Sequence, residues 1–483
     1  MKYVVYGLGI SGLSTAKFLA KNGEDVVATD DNEKVISDVK TSFEKGGGLI
    51  APAIKTEDFI KKNPNSLREN HPSSPAAMPP FFSKRVTYDT DTIISFAPGI
   101  PLHFPKPHKI LEICKKTGAT LACDIEIFYR KNRDANFIAI TGTNGKSTTT
   151  ALSGFIFKEL GISAEIGGNI GVPCFDLPTS ENYIFETSSY QLDLLSQTHF
   201  HIAALLNITP DHLDRHGSMA GYIEAKKRIF RNQTEKDFAL IDIDNENSRK
   251  VFDELKADKN FRATLVPIST KKIQENGVAL FGGKLVNKIG GENSELELKS
   301  EFLRGEHNDQ NMAFAFTIAW LSQIADQNKI VAAIKKFRGL RHRMQIVGKI
   351  GEIKFINDSK ATNAESTEHA LKAYENIFWI LGGKAKDGGI STLQPYFKKI
   401  RKAFLIGEAT EEFAQILEKN SVDFEKCGDL KTAFEKAFSD AKKSSLTEKN
   451  VLLSPACASF DQWKNFEQRG DYFCKLFDEL PKS

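Results

Sequence analysis

Cysteine is scarce in this chain: six residues in 483, with no C-x-x-C pair among them. Cys114, Cys123, Cys174, Cys427, Cys457 and Cys474 are scattered, which excludes a disulfide framework or a zinc ribbon and fits reduced thiols. An excess of either charge is also missing. The 65 Lys and Arg against 62 Asp and Glu leave +3, so nothing points to nucleic acid or an anionic membrane as a partner. Long apolar runs are absent. IAALLNI and NIFWIL fall far short of the roughly 20 residues that span a bilayer. MKYVVYGLGISGLS lacks a small-residue cleavage site after a separate apolar core, so it reads as a strand entering a Gly turn and not as a leader. These absences lead us to expect a cytoplasmic protein without a membrane span. The length predicts about three domains, and 41% hydrophobic and 26% charged residues are ordinary for globular ones.

What the chain does have is FIAITGTNGKSTTT, residues 137–150. An apolar segment, Phe137–Ile140, runs into a Gly/Thr turn that ends in Gly145-Lys146-Ser147, and helix formers follow. Backbone N–H groups at a helix N-terminus suit phosphates, a lysine adds a point charge, and a Ser hydroxyl can ligate Mg²⁺. The strict pattern G-x-x-x-x-G-K-[ST] wants Gly at 140, where Ile stands. The loop is therefore a variant P-loop.

The expected architecture is α/β in three domains. Residues 1–129 open with strand KYVVYG, the turn Gly7-Leu8-Gly9-Ile10-Ser11-Gly12, a helix, and strand DVVATD closing on Asp30 and Asp31. This is a Rossmann-like start, with acids about 20 residues on, where a ribose is usually met. Residues 63–80 are rich in Pro, Asn and Ser and predict a long exposed loop. Residues 130–338 form a central, mostly parallel P-loop-type domain, with Glu186 ending strand YIFETSS and strand IAALLNI leading into TPDHLDRHG. Between about 237 and 300, short β-like pieces predict an antiparallel edge or small subdomain. Residues 339–483 form a second Rossmann-like α/β domain. Its strands EIKFIND, NIFWILGG and NVLLSPA run straight into the polar motifs NDSKATN, GGKAKDGG and SPACASFDQWKNFEQRG, which predicts one binding face.

Together these blocks make the chain similar to the Mur ligase family, the ATP-dependent amino-acid-adding enzymes of peptidoglycan synthesis. The resemblance rests on TGTNGKST, NIG at 169–171, ETSS at 186–189, DHLDRHG followed by Lys226, NDSKATN, and the 17-residue run SPACASFDQWKNFEQRG. It covers nearly the whole chain. The 41–85 region is longer than the family usually has. Within the family the C-terminal run points to addition of D-glutamate to UDP-N-acetylmuramoyl-L-alanine through an acyl phosphate, by a monomer. Another Mur ligase or a folylpolyglutamate-synthase-like amino-acid ligase is the close alternative. A dinucleotide-dependent oxidoreductase is the distant one, and the P-loop has no place in it.

The resemblance assigns roles residue by residue. ATP falls to Gly142, Thr143, Asn144, Gly145, Lys146, Ser147 and Thr148, with Asn308 and Asn311 at the adenine, and Arg343 and Asp358 also on the nucleotide. On sequence alone, Asn308 serves equally well as a helix cap. Ser147 and Glu186 take one Mg²⁺; His212 and Lys226 serve a second, with Lys226 carbamylated so that it becomes an oxygen donor. Lys227 is adjacent, and the spacing from Tyr222 favours Lys226. The catalytic set is thus Lys146, Glu186, His212, Lys226 and Asp358. Ile10, Ser11, Asp30, Asp31 and Gly99 match the uridine-nucleotide pocket, and Asn169 a contact to the muramoyl part. Lys360, Thr362, Lys386, Ser459 and Phe466 match the D-glutamate site, with Lys384 competing with Lys386 for one role.

Overall fold

The computed structural model describes residues 1–30, 51–55, 88–385 and 389–481. The expected long loop at 63–80, Asp31 and Lys386 lie outside them, and so does the 41–85 region apart from the backbone of 51–55. The chain divides into two compact units, Met1–Lys299 with Asp309–Ile334, and Ser300–Asn308 with Lys335–Ser483.

The first unit holds two sheets. One contains β1 (Lys2–Tyr6), β2 (Asp25–Asp30), β3 (Ala51–Lys55), β4 (Thr92–Phe96) and β5 (Thr120–Ala122), in the order β3-β2-β1-β4-β5. Every pairing in it is parallel. That 3-2-1-4-5 order is the start of a Rossmann sheet, as the Gly turn predicts; in such sheets ligands bind beyond the C-terminal ends of the strands, where the strand order reverses. The helix Ile10–Lys21 provides the first crossover.

The second sheet contains β6 (Asn136–Thr141), β7 (Glu165–Gly168), β8 (Asn182–Glu186), β9 (Ile202–Leu205), β10 (Phe238–Asp242), β11 (Thr264–Ser269), β12 (Val278–Phe281), β13 (Lys284–Asn287) and β14 (Ser294–Glu297). Its order is β14-β13-β12-β11-β10-β9-β6-β8-β7. The expectation for 237–300 needs correcting. β10 and β11 extend the parallel sheet, and only β12, β13 and β14 form an antiparallel edge. β6 and β8 lie inside the sheet, between β9 and the edge strand β7, and their apolar runs are buried on both faces, as parallel strands covered by helices must be. The two sheets share one core, in which Phe18 of the first crossover helix meets Phe175 with ring centroids 4.5 Å apart.

The second unit holds β15 (Gln345–Ile350), β16 (Ile353–Asn357), β17 (Ile377–Gly382), β18 (Ile400–Ile406), β19 (Phe424–Gly428) and β20 (Lys449–Leu453), in the order β15-β16-β20-β17-β18-β19. Only β15 runs antiparallel. Alternation along β17 divides its side chains between two cores. Ile377, Trp379 and Leu381 face one, and Phe378 and Ile380 the other. The three strands that lead into polar motifs, β16, β20 and β17, are immediate neighbours, so their motifs emerge side by side.

Among the described residues no helix is long and apolar enough to cross a membrane. All six cysteines are free thiols.

Candidate active site

β6 ends at Thr141, and the chain leaves the sheet through two glycines with left-handed backbone, Gly142 (φ 154°) and Gly145 (φ 86°). A side chain at Gly145 would meet Asn311 Oδ1 at 2.5 Å as well as straining the backbone, so only glycine fits there. Ile140 lies inside β6 with its side chain fully buried. The turn therefore begins two residues later than the strict pattern places it, which explains why an apolar residue stands there. The helix Lys146–Glu159 follows at once, and the N–H groups of its first turn have no partner within the helix.

The loop is braced from several sides. The Thr143 N–H donates to Asn207 O at 2.9 Å. Asn144 N–H donates to Asn207 Oδ1 at 2.8 Å, and Asn207 Nδ2 returns a bond to Asn144 O at 3.1 Å. Thr143 Oγ1 lies 3.1 Å from Thr209 O and 3.2 Å from the Tyr222 hydroxyl. Asn311, 3% exposed, accepts a bond from Thr149 Oγ1 at 3.1 Å.

Two lysines converge on one carbonyl of this loop. Lys146 Nζ donates to Gly142 O at 2.9 Å and to Thr143 O at 2.8 Å. Lys226 Nζ, 1% exposed, donates to the same Gly142 O at 2.8 Å and lies 4.7 Å from the centre of the Tyr222 ring. Burial, aided by the charge of Lys146, holds the Lys226 amine well below the usual lysine range. Lys227 instead faces outward and pairs with Glu224 and Glu254. Glu186, at the C-terminal end of β8, is buried; its Oε1 accepts a bond from Asn169 Nδ2 at 2.8 Å, while its Oε2 has no hydrogen-bond partner. Ser147 is buried at the start of the helix. An orphaned carboxylate oxygen, a Ser hydroxyl and a glycine-shaped phosphate cradle are the donor set a nucleotide with Mg²⁺ requires.

His212 is exposed, in left-handed backbone (φ 53°), with Nε2 3.3 Å from Asp211 Oδ2 and its ring 5.1 Å from that of Tyr190. Its neighbour His216 is a residue that sequence reasoning passed over. It is buried, bonded through Nε2 to Ser189 Oγ at 2.9 Å, and stacked on Tyr190. Burial depresses its pKa to about 4, so it stays neutral. Arg215 was also passed over. Its guanidinium covers the Tyr190 ring at 4.3 Å and donates to the carbonyls of Pro98, Gly99 and Ile100 at 3.1, 3.0 and 3.0 Å. The DHLDRHG motif was the available signal for both.

In the first sheet, the Asp30 carboxylate accepts the Leu8 N–H at 2.6 Å and so braces the Gly turn. Ile10 is 81% exposed. Ser11 is half-buried, and near it and Gln191 lies the Asp124 carboxyl, a buried group whose pKa desolvation raises.

In the second unit, Asp358 follows β16 and is buried. Its carboxyl accepts the Met344 N–H at 3.0 Å and the Ser454 hydroxyl at 2.7 Å. Desolvation outweighs these bonds and pushes its pKa up to about 7. Arg343 lies between two residues in left-handed backbone, His342 (φ 61°) and Met344 (φ 42°). Asn308 sits inside the helix Glu306–Leu321 and donates to Arg304 O at 2.9 Å, so it is not the cap that the sequence equally allowed.

Around the proposed amino-acid site, Lys360 Nζ lies 5.6 Å from the Phe466 ring centre, and Ser359 Oγ donates to Phe466 O at 2.8 Å. Thr362 is half-buried and Ser459 buried. Lys384 bonds through its backbone to Ala458. Sequence reasoning missed Arg469. This arginine is 1% exposed and donates to Ser359 Oγ, Ser359 O and Cys457 O at 3.0, 2.9 and 3.1 Å. It thereby ties the loops after β16 and β20 to the helix Phe466–Asp478.

Comparison with known proteins bears on the same residues. Residues 140–319 match the Mur ligase middle domain, and residues 342–457 match the Mur ligase glutamate ligase domain. Proteins named UDP-N-acetylmuramoylalanine–D-glutamate ligase are similar along most of the chain. The protein from Rickettsia bellii is 43% identical over 80% of this chain and 84% of its own. That of Wolbachia pipientis wMel is 37% identical over 99% and 96%, and that of Rhizobium johnstonii 40% over 98% and 93%. The solved structure of UDP-N-acetylmuramate-alanine ligase from Thermotoga maritima shares the fold, with a TM-score of 0.53, 17% identity and 99% of each chain covered.

Proposed function

The chain belongs to the Mur ligase family, and from that premise we propose how its residues carry out the family's chemistry. It is an ATP-dependent C–N ligase that joins D-glutamate to UDP-N-acetylmuramoyl-L-alanine in peptidoglycan precursor synthesis. The observation that carries the residue-level reading is the convergence of Lys146 and Lys226 on Gly142 O, beside a buried Glu186 with one unpartnered oxygen.

A carboxylate resists attack by an amine because its carbonyl is deactivated and its leaving group poor. Transfer of the γ-phosphoryl group to the alanine carboxylate supplies a leaving group, and the amine of D-glutamate then displaces phosphate. The chain's task is to hold anions together and spread their charge. Lys146 serves the β/γ-phosphates from the loop it now folds across. Gly142, Thr143, Asn144, Gly145, Ser147 and Thr148 shape the cradle, and Asn311 supports it through Gly145 and Thr149. Mg²⁺ would be held by Ser147 and Glu186, and a second ion by His212 and Lys226; the metal neutralises phosphate charge when bound. The neutral amine that burial favours at Lys226 is the form that adds CO₂, and a carbamate would turn a donor into an anionic oxygen ligand. Asp358, Arg343 and Asn308 also serve the nucleotide. Lys360, Thr362, Ser459 and Phe466, with Lys384 or Lys386, receive the two carboxylates of D-glutamate by charge matching. Ile10, Ser11, Asp30, Asp31, Gly99 and Asn169 receive the uridine nucleotide and muramoyl part. We place the domain boundaries near 129 and 338, and the enzyme in the cytoplasm as a monomer.

The test is an amino-acid panel with UDP-N-acetylmuramoyl-L-alanine and ATP, scored by phosphate release. D-glutamate should far exceed L-glutamate, L-alanine and diaminopimelate; equal rates would refute the specificity. Depleting CO₂ should lower turnover and bicarbonate restore it, with intact mass showing one added CO₂; an unmodified mass at full activity refutes the carbamate.

A further inference from the structure

At the end of the central sheet opposite the phosphate loop, the strands begin with an unusual set of side chains. His199 and His201 stand two apart just before β9, a spacing that sends both to one side of an extended chain. Asp237 stands just before β10, which pairs in parallel with β9 in the register Phe238↔Ile202. The Phe238 N–H donates to His201 O at 2.9 Å, so Asp237 is held next to His201. A ring nitrogen of each histidine and a carboxylate oxygen of Asp237 all lie within 4.8 Å of one another. This is the one such His/Cys/Asp/Glu trio among the described residues.

Asp237 carries the second, independent observation. Its side chain is fully buried. Oδ2 accepts the N–H and hydroxyl of Thr234 at 2.5 and 2.8 Å and lies 2.7 Å from His199 Nε2. Oδ1 is equally buried and has no hydrogen-bond partner. A desolvated carboxylate oxygen without a donor is costly, and a cation is one way to satisfy it. His199 keeps about a quarter of its side chain exposed, which leaves a route in from solvent.

We propose that His199, His201 and Asp237 form a binding site for a divalent transition metal of the zinc class, with water completing the coordination. Two imidazoles and a carboxylate suit Zn²⁺, Co²⁺ or Ni²⁺. Mg²⁺ prefers oxygen ligands and gives up its water reluctantly, so a trio with two imidazoles favours the zinc class over the ion that serves ATP. Ligand atoms around tetrahedral zinc lie about 3.3 Å apart, so the loosest contact closes and the His199–Asp237 bond opens. The proton on His199 Nε2 moves to Nδ1 or to solvent as the metal takes the lone pair. β6 is six residues long, which puts the trio roughly 15–20 Å from the phosphate loop. The metal therefore clamps β9 to β10 and takes no part in ligation.

The probe is Co²⁺, titrated into the full chain in excess Mg²⁺ and followed by visible absorption. The expected result is one equivalent with d–d bands, bound at least about tenfold more weakly by His199→Gln and by His201→Gln, and ligase turnover unchanged in His199→Gln. Absence of the bands, or equal affinity in both variants and wild type, overturns the proposal. A measurement without variants guards against misfolding: anomalous scattering at the zinc edge from crystals of the wild-type protein grown with zinc. A peak between the three side chains supports the site, and no peak there overturns it.

Discussion

Glu126 in the first unit and Asp358 in the second are both buried carboxyls, and the structure treats them in opposite ways. Glu126 lies on the helix Asp124–Lys131 and is saturated with donors. It accepts the N–H groups of Ser196, Gln197 and Thr198, the hydroxyls of Ser196 and Thr198, and Arg130. Burial acts to raise its pKa, but those donors, led by Thr198, overcome it and hold the carboxyl below its usual range. Asp358 accepts one N–H and one hydroxyl, and burial wins. A carboxylate that only has to hold the fold together is given every donor it can use. One at the end of a sheet strand, facing the ligand side of an α/β fold, keeps capacity in reserve.

The largest effect that would sharpen this contrast comes from Lys146, the ammonium of the phosphate loop in the first unit. Lys146→Ala should cut turnover by about a thousandfold, as loss of a charge aimed at a developing anion does. Folding and uridine-nucleotide binding should persist. Wild-type rates would remove Lys146 from the mechanism. Next comes the paired exchange of the two carboxyls. Asp358→Asn should cost about a hundredfold in turnover with little loss of stability. Glu126→Gln should cost about 2–3 kcal/mol of stability, because an amide cannot accept the same set of bonds, with turnover near normal below its melting range. If Glu126→Gln kills activity while melting normally, the division between structural and functional carboxyls fails.

The pH dependence separates the pair again. Glu126 has a depressed folded pKa, so its stabilisation is complete above its unfolded value of about 4.3 and is lost as pH falls through the folded value. Asp358 has a raised one. Its favourable contribution is present below about 3.9 and is lost as pH rises through about 7. In ligand-free protein, Asp358→Asn should flatten the decline in unfolding midpoint between about pH 4 and about pH 7. Glu126→Gln should flatten the decline on the acid side. Denaturant titrations across pH check both, and parallel curves for wild type and variant would contradict the assignment.

Much of this was legible in the residues because it is written locally. The Gly turn at 7–12, the apolar run of β6 and the motif-bearing strands β16, β17 and β20 each announce themselves within a few residues, by glycine placement and by apolar runs. The phosphate loop was legible for the same reason, and even its departure at Ile140 has a local cause. What the sequence hid is set by distant partners. Nothing near Glu126 says that residues 70 positions on will donate to it. Arg215 and Arg469 gain their roles only when the fold supplies the carbonyls of Pro98, Gly99 and Ile100 for one, and of Ser359 and Cys457 for the other. Asn308 was ambiguous because the observed start at Glu306 and a start capped by Asn308 differ by three residues, inside the margin of about two to four within which helix starts are read from sequence. The reach of the parallel sheet through β10 and β11 was hidden because short strands between Gly and Asn turns look alike whether they pair in parallel or antiparallel.

The smallest effect tests where the functional side of the contrast stops. Tyr222 supplies two things to the loop, a ring face 4.7 Å from Lys226 Nζ and a hydroxyl 3.2 Å from Thr143 Oγ1. Burial pushes the phenol up to about 12, so the hydroxyl remains protonated at any working pH. Tyr222→Phe keeps the ring, and with it the attraction for an ammonium or the packing against a carbamate. It removes one hydrogen bond from Thr143, whose hydroxyl still has Thr209 on both its donor and acceptor sides. The expected cost is about 1 kcal/mol in stability, and no more than about fivefold in turnover if the same energy is lost at the transition state. A hundredfold loss in single-turnover rate would mean that the hydroxyl touches the reacting groups. Tyr222 would then belong with Asp358 and Lys146, not with the donors that merely saturate their partners.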